Sequence, residues 1–298
     1  MPEQTSPTLR DWMTGARVRT LPAAVAPVLA GSGAAAAVDG AHLGRALLAA
    51  GVALALQVGV NFANDYSDGV RGTDDHRVGP QRLTASGAVA PGTVKRAAFA
   101  AFGIAAVLGL ALCVWAGTWW LLAVGALCVV AAWFYTGGSN PYGYRGLGEV
   151  AVFVFFGLVA TIGTTYTQAL EVTGASVLAG CAIGLLACAL LMANNIRDIA
   201  TDVVAGKRTL AVRLGDRQAR VGYVAMLVIA ELFAIAAALA AGAGAATAAL
   251  IVLAAPIASL ANRVLRGATG PDLIAILKQT GMLELAFGIV LGLVLWLG

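Results

Sequence analysis

Acidic residues are scarce in this chain, and many of them lie in two short runs at the ends of apolar segments. Six of the 15 Asp and Glu residues belong to these runs. The first run covers residues 61–68 (NFANDYSD) and continues to Asp74 and Asp75, and the second covers residues 194–202 (NNIRDIATD). Carboxylates beside membrane-like segments are costly unless they are paired or bound to a cation. Two facing runs therefore predict an oxygen-rich site for hard divalent cations, and so a place to hold a diphosphate.

The spacing within each run places several oxygen donors on one helix face. Residues four apart share a face, so Asn64 projects with Asp68, and Asn194 projects with Asp198 and Asp202. Like charges at this spacing repel, and Mg²⁺ would offset the repulsion because it binds a few carboxylates together with water and phosphate oxygens. The shared faces therefore predict a divalent cation at the two helix ends. The alternative is a pair of solvated helix ends whose acids pair with Arg71, Arg77 and Arg197.

Basic residues flank both acidic runs. Arg71 and Arg77 follow the first run, and Lys207 follows the second. A diphosphate held through a metal still needs donors on its outer oxygens, and Lys and Arg supply them. The alternative is that these basic residues only reflect the excess of Lys and Arg on the inner side of a membrane protein. The predicted substrate-binding residues in the two runs and their flanks are Asn61, Asn64, Arg71, Arg77, Asn194 and Arg197.

A segment rich in Gly and Tyr lies between two apolar segments, at residues 135–146 (YTGGSNPYGYRG). Such a loop can closely approach a flat aromatic ring or a phosphate. Tyr135 and Arg145 are its stronger functional candidates. Tyr142 and Arg145 are predicted to bind substrate. Tyr142 and Tyr144 could equally belong to an interfacial aromatic belt.

The composition is that of a polytopic α-helical membrane protein. The 298 residues are 60% hydrophobic and 11% charged, whereas a soluble domain carries about 25% charge. The apolar runs are continuous and long enough for helical spans. We predict an all-α membrane protein, a single domain over residues 1–298, whose polar N-terminal segment is not a cleaved signal peptide. The predicted spans are 20–38, 46–64, 95–117, 119–136, 148–170, 175–196, 219–241, 243–262 and 273–297.

The distribution of basic residues predicts the orientation. With the N-terminus on the inner side, 17 of the 19 Lys and Arg residues fall in inner segments. The positive-inside rule then predicts a cytoplasmic N-terminus and an outer C-terminus in the cell membrane. Both acidic runs lie at cytoplasmic ends of spans, so an ionic substrate would reach them from the cytoplasm. This rule also explains a pI near 9.0 without a nucleic-acid partner.

Several motifs resemble those of the UbiA-type intramembrane prenyltransferases, and most closely the menaquinone branch of that family. They are NDYSD at residues 64–68, GTDD at 72–75, NIRDIATD at 195–202 and GKRTLAVRLG at 206–215. The resemblance covers essentially the whole chain. It implies nine helices around a central cavity with a cytoplasmic polar cap. It also implies Mg²⁺-dependent transfer of a polyprenyl group from its diphosphate to 1,4-dihydroxy-2-naphthoate, with loss of CO₂.

The resemblance also implies roles for individual residues. Asn64, Asp68, Asp198 and Asp202 match metal-site positions, and Asp65 lies in the same motif. The catalytic residues it implies are Asp68, Asp198, Asp202, Lys207 and Tyr135, and the positions on the diphosphate side are Arg19, Arg145 and Lys207. The family pattern has a third acid four residues after Asp68, where this chain has Gly72; Asp74 or Asp75 would take its place.

Three other functions are compatible with parts of the sequence. The same fold could prenylate another acceptor such as 4-hydroxybenzoate. A cation-coupled transporter could use the acids as an ion path, but transporters place such acids near the bilayer midplane, whereas these lie at the ends of spans. A purely structural membrane subunit does not account for two matched acidic runs on one side of the bilayer.

Overall fold

The computed structural model describes residues 7–73 and 82–298, and in these ranges the chain consists of helices and loops without a strand. The first helices along the chain are α1 (Leu9–Gly15), α2 (Leu21–Ala36), α3 (Leu43–Arg71) and α4 (Pro91–Ala116). They are followed by α5 (Leu121–Phe134), α6 (Gly148–Ala169, π-helical over Phe153–Val159), α7 (Gly174–Val204) and α8 (Leu210–Leu214). The last are α9 (Asp216–Ala240), α10 (Gly244–Leu265) and α11 (Gly270–Trp296).

The predicted all-α membrane fold is confirmed in its helical class and its apolar character. Seven helices of the described ranges are long and apolar enough to cross a membrane, namely α3, α4, α6, α7, α9, α10 and α11. Two further segments predicted as spans form shorter apolar helices, α2 and α5, with 16 and 14 residues. A perpendicular crossing needs about 20 residues, so the count of nine spans stays a prediction.

Two helices extend further than the predicted spans. The spans were expected to end at residues 64 and 196, but α3 continues to Arg71 and α7 to Val204. The polar residues beyond the apolar core therefore remain helical, and α3 continues through Gly69 as far as the left-handed Gly72. Residues 61–68 and 194–202 thus lie within the last turns of helices, and their side chains are held by regular backbone.

Helix α7 forms the centre of the bundle. Of its most apolar stretch, 67% is buried inside the protein, compared with 22–44% for the other six long helices. It packs against α2, α6, α9 and α11, and its residues Ile183, Leu186 and Met192 are fully buried in the largest hydrophobic cluster. A second cluster, around Phe62 and Phe102, joins α3 to α4. The helices that carry the two acidic runs therefore belong to different cores, and α2 packs against both helices.

Small residues allow the helices to pack closely, as is typical of membrane bundles. Gly33 of α2 faces the backbone of Gly292 in α11, and Gly157 of α6 faces Gly184 in α7. A Cβ at Gly157 would lie 2.4 Å from the Cα of Gly184. These contacts hold α2 against α11, and they hold α6 against α7, the helix that carries the second acidic run.

Replacing Gly33 with Ala is expected to destabilise the bundle. The new Cβ would lie 2.2 Å from the carbonyl oxygen of Gly292, so α2 and α11 would have to separate. Such overpacking typically costs about 1–3 kcal/mol. The matched control is Gly103→Ala in α4, where no atom lies within 4 Å of the added Cβ. The melting temperature in detergent should fall for Gly33→Ala alone, and equal melting temperatures would contradict the close contact.

Candidate active site

The helices that carry the two acidic runs end in the same way. Asp68 of α3 is four residues before Gly72, and Asp202 of α7 is four residues before Gly206. Both glycines are left-handed, with φ of 73° and 72°, a conformation that favours glycine. In each case the amide after the glycine donates to the carbonyl oxygen of the aspartate, at 3.1 and 2.8 Å. The position where a third acid was sought is therefore the glycine that ends α3.

The two helix ends converge on a site that we call the pocket, bounded by Asp68, Tyr144 and Lys207. Lys207, the residue after the glycine that ends α7, places Nζ 3.6 Å from Oδ2 of Asp68 on α3. The same Nζ lies 4.7 Å from the ring centre of Tyr144, whose hydroxyl donates a hydrogen bond to Oδ1 of Asp68. The acids of both helices are withdrawn from solvent, because Asp68, Asp198 and Asp202 are only 5%, 6% and 9% exposed. One lysine thus links the end of α7 to the carboxylate of α3.

Asp198 is neutralised by its neighbour in sequence. The Arg197 guanidinium donates from Nε to Oδ1 at 2.7 Å and from Nη2 to Oδ2 at 2.6 Å. Nη2 also donates to Oδ1 of Asn194 at 2.9 Å. Asp202, one turn further along, accepts from the Thr209 hydroxyl at 3.5 Å. Bidentate pairing of this kind holds the buried guanidinium beside the acids.

The donor set fits a magnesium ion shared with a diphosphate. Asn64, Asp68, Asp198 and Asp202 offer the hard oxygen ligands that Mg²⁺ prefers. Within the described ranges, no group of three or more acids, histidines or cysteines is close enough to hold a metal by itself. Mg²⁺ usually binds through one or two carboxylates together with substrate phosphates and water. The site therefore matches an ion that arrives with its substrate better than a closed protein cage.

Asp65 has a different environment from the other acids of the first run. It is fully buried, and its two carboxylate oxygens accept hydrogen bonds from the backbone amides of Leu83 and Thr84, at 2.9 and 2.8 Å. It therefore anchors the loop that precedes α4. We therefore infer that Asp65 anchors this loop, and its predicted place among the metal ligands stays a prediction.

Asp65→Asn is expected to lower stability more than it affects chemistry. An amide has only one acceptor oxygen, so its NH₂ group would face a backbone N–H donor and leave a buried donor unpaired. Such a loss costs about 1–3 kcal/mol. We expect a lower melting temperature in detergent, with the exposed Asp39→Asn as the control, because Asn tolerates the left-handed backbone of Asp39. An unchanged melting temperature with loss of activity would return Asp65 to the metal set.

The asparagines of the first run hold neighbouring segments around the pocket. Asn61 is 2% exposed and donates from Nδ2 to the carbonyl oxygen of Ala16 at 2.9 Å. Oδ1 of Asn64 accepts from the Thr136 hydroxyl at 2.8 Å. Asn61 therefore ties the end of α1 to α3, whereas Asn64 lies at the level of the loop that follows α5.

Arg71 holds the same loop, which we call the tyrosine loop (residues 135–146). Its guanidinium donates to the carbonyl oxygen of Thr136 at 2.8 Å and to that of Gly138, and it lies over the Tyr144 ring at 5.3 Å. Two of its donors are thus used by the protein backbone. Arg77, Asp74 and Asp75 lie outside the described residues, as does the side chain of Arg19, so their predicted roles stay predictions.

The tyrosine loop also joins the segment that follows α7. The amide of Arg208 donates to the carbonyl oxygen of Tyr144 at 2.8 Å, and Arg213 donates to the carbonyl oxygens of Arg145 and Arg208, at 2.7 and 3.2 Å. A cavity of about 420 Å³ lies between the two segments and is lined in part by Arg145, Arg208 and Arg213. This end of the bundle is therefore polar and basic.

The tyrosines of this loop differ in their partners. Tyr142 donates to the carbonyl oxygen of Ala131 at 2.7 Å and packs edge-on against Tyr135, and burial raises the pKa of Tyr142 to about 12. Burial and the carboxylate of Asp68 raise the pKa of Tyr144 well above its usual range. Tyr144 is therefore a neutral hydrogen-bond donor to Asp68. The sequence left the role of Tyr144 open, because its place in the Gly- and Tyr-rich segment was the one indication of a function.

Comparison with known proteins agrees with this geometry. The family model described as "UbiA prenyltransferase family" matches residues 24–277. A 1,4-dihydroxy-2-naphthoate octaprenyltransferase from Mycobacterium tuberculosis is 50% identical over 282 residues, covering 94% of each chain. The Escherichia coli protein of the same name is 40% identical over 228 residues, covering 74% of this chain and 73% of its own.

Solved structures share the fold. A UbiA homologue from Aeropyrum pernix superposes with a TM-score of 0.70 at 20% identity, covering 91% of this chain and 96% of its own. A homologue from Archaeoglobus fulgidus, bound to GPP and Mg²⁺, superposes with a TM-score of 0.66 at 15% identity, covering 96% and 99%. Together with the family match over most of the sequence, these likenesses establish that the chain belongs to the UbiA prenyltransferase family.

Proposed function

We propose that this protein transfers a polyprenyl group from polyprenyl diphosphate to 1,4-dihydroxy-2-naphthoate, with loss of CO₂, and so forms demethylmenaquinol for menaquinone biosynthesis. The observation that carries the acceptor assignment is the 50% identity to a naphthoate prenyltransferase over 94% of both chains. The convergence of Asp68 and Lys207 from two helices supports the diphosphate chemistry.

The residues of the pocket divide into those that hold a metal and those that hold the diphosphate. Mg²⁺ would be held by Asn64, Asp68, Asp198 and Asp202, and when bound it would act as a Lewis acid that stabilises the leaving diphosphate. Lys207 supplies a cation at the same place and stabilises the negative charge that develops as the C–O bond breaks. Arg197 and Arg145 would donate to the outer phosphate oxygens, together with Arg19.

Breaking the C–O bond leaves an allylic cation on the prenyl chain. The Tyr135 ring lies next to the pocket and would stabilise this cation by a cation–π contact worth about 2 kcal/mol when desolvated. The apolar bundle keeps water away, which would otherwise capture the cation. The isoprenoid tail would lie among the helices or in lipid, since it cannot rest in water.

The proposed topology places this chemistry at the cytoplasmic side of the cell membrane. Nine spans, with α2 and α5 as the short ones, put the N-terminus in the cytoplasm and the C-terminus outside. The acidic ends of α3 and α7 would then lie under a polar cytoplasmic cap made of the tyrosine loop and the segment after α7. The concentration of basic residues in the inner segments supports this orientation.

The experiment is an acceptor assay with the purified protein in lipid nanodiscs. Radiolabelled prenyl diphosphates of several lengths are supplied with dihydroxynaphthoate or 4-hydroxybenzoate, with and without EDTA. We expect prenylated naphthol to form only with dihydroxynaphthoate, and its formation to stop with EDTA and return with added Mg²⁺. Exclusive prenylation of 4-hydroxybenzoate would reject the acceptor assignment. Ion flux into proteoliposomes without any diphosphate substrate would instead support a transporter.

A further inference from the structure

A carboxyl group that the mechanism above does not use lies on α6, against the helix that carries the second acidic run. Glu149, in the first turn of α6, is 6% exposed. Its Oε1 accepts a hydrogen bond from Nδ2 of Asn195 at 3.1 Å, whereas Oε2 is buried without a hydrogen-bond partner among the described residues. An unpaired buried carboxylate oxygen is costly. Oε2 can therefore accept a hydrogen bond from a ligand that reaches it.

The partner of Glu149 lies on the acidic face of α7. Asn195 is three residues before Asp198 and seven before Asp202, so the three side chains follow one face of the helix. Because Asn195 is the innermost of the three, Glu149 lies about one to two helical turns further into the bundle than the aspartates. This depth is where the reacting end of a molecule beyond the diphosphate would be.

The position of Tyr135 agrees with this placement. A Cβ added to Gly148, the residue before Glu149, would lie 2.9 Å from the Tyr135 hydroxyl. The Tyr135 hydroxyl therefore lies against the first turn of α6, which carries Glu149. Tyr135 also packs edge-on against Tyr142 in the tyrosine loop, so it lies where α6 meets that loop. A flat ring bound beside Tyr135 would therefore lie next to the helix turn that carries Glu149.

We propose that Glu149 binds the aromatic acceptor through the hydroxyl next to the attacked ring carbon and takes up the proton of that hydroxyl during transfer. This proposal rests on the proposed function. Oε2 can only accept a hydrogen bond, so it repels a diphosphate or the carboxylate of the acceptor and selects a phenolic donor. The acceptor is thereby oriented with its hydroxyl toward Glu149 and its carboxylate toward Lys207 and the arginines.

The proposed proton transfer balances without any further reactant. The prenyl C–O bond breaks and its electron pair leaves with the diphosphate. The ring carbon that bears the carboxylate forms the new C–C bond, and the neighbouring hydroxyl becomes a ketone as its proton passes to Glu149. The bond to the carboxylate then breaks, CO₂ leaves, and the electron pair restores the aromatic ring as a naphtholate. Glu149 returns the proton to this oxygen and is ready for another cycle.

The test compares Glu149→Gln with the wild type in nanodiscs under anaerobic conditions. General acid–base catalysis contributes about 10²–10⁴-fold, so prenyl transfer to dihydroxynaphthoate should fall at least about 10²-fold in Glu149→Gln. Release of diphosphate from geranyl diphosphate in the absence of an acceptor should stay within about twofold, since bond ionisation does not need this base. The matched control is Glu231→Gln in α9, which replaces a carboxyl that also has an unpaired oxygen but lies on a helix outside the site.

The pH profile separates a base from a merely structural residue. A naphthol that is already ionised needs no base, so transfer by Glu149→Gln should rise with pH toward the phenol pKa of about 10, whereas the wild-type rate should not. Glu149→Asp keeps the charge and should be slower without this added rise. Near-wild-type transfer by Glu149→Gln, or an equal loss of transfer and acceptor-free diphosphate release, would overturn the proposal. Wild-type protein that does not prenylate dihydroxynaphthoate rejects the proposed function instead, before any variant is compared.

Discussion

Asp68→Asn and Asp202→Asn are each expected to reduce Mg²⁺-dependent prenyl transfer by about 10³-fold, since a ligated metal supplies several kcal/mol of charge stabilisation. Asn has nearly the same shape as Asp, so the helix ends and their glycine turns should persist. What is lost is the negative charge that holds the metal and, at Asp68, the partner of Lys207. Because the two aspartates come from different helices, the loss in both variants would show that α3 and α7 serve one site.

The measurement is the initial rate of prenyl transfer in nanodiscs over a range of Mg²⁺ concentrations. Both variants should need more Mg²⁺ for half-maximal rate, and their melting temperatures without Mg²⁺ should stay close to that of the wild type. Asp216→Asn is the control, because Asp216 is exposed and lies outside both acidic runs, and its partner Arg220 also donates to the carbonyl oxygens of Val264 and Ala268. Near-normal turnover in both site variants would reject the metal role.

The sequence was sufficient for the membrane class and for the two acidic runs. Charged residues stand out in a chain that is 60% hydrophobic, and acids there are costly without a partner, so their positions carry information that surface acids of a soluble protein do not. The face shared by Asn194, Asp198 and Asp202 follows from helical periodicity alone. Periodicity could not predict how far α3 and α7 continue beyond the apolar core. The hydropathy of the sequence falls where the membrane spans end, whereas both helices continue for about two more turns.

The separate roles of Asp65 and Asp68 could not be predicted, although the residues are three apart in one motif. The difference arises from partners that are distant in sequence. Asp65 meets the amides of Leu83 and Thr84, and Asp68 meets Lys207. Arg71 is a similar case, since its acceptors are carbonyl oxygens of the tyrosine loop. Contacts of this kind depend on tertiary packing, and a local pattern does not contain them.

Glu149 shows a different limit. It follows Gly148 at the start of an apolar segment, where the sequence predicts an ordinary acid in the first turn of a helix, a favourable position for a negative charge. Only the structure reveals that one of its oxygens is buried and unpaired while the other meets Asn195 of α7. An acid at the start of a helix is common, whereas one with a buried and unpaired oxygen is not. The sequence does not distinguish these two environments.

Lys207→Met is expected to lower the turnover of prenyl transfer by about 10²–10³-fold, the usual effect of removing one group that stabilises developing charge. Met keeps much of the length and apolar volume of the side chain but removes the Nζ that lies 3.6 Å from Asp68 and over the Tyr144 ring. The charge on the diphosphate increases as the C–O bond breaks, so the interaction with Lys207 strengthens toward the transition state. Turnover should therefore fall more than the affinity for prenyl diphosphate does.

Two variants sharpen this prediction. Lys207→Arg keeps the cation but changes its shape, so we expect a smaller loss, of about tenfold, because Lys and Arg are not interchangeable at a defined site. Lys95→Met is the matched control, since the Nζ of Lys95 also lies over aromatic rings, those of Tyr66 and Trp133, at 5.5 and 5.7 Å. Steady-state kinetics with geranyl diphosphate, together with direct binding of a non-hydrolysable analogue, separate turnover from affinity. If Lys207→Met lost only affinity and kept its turnover, Lys207 would be a residue that positions the substrate and not one that stabilises the leaving group.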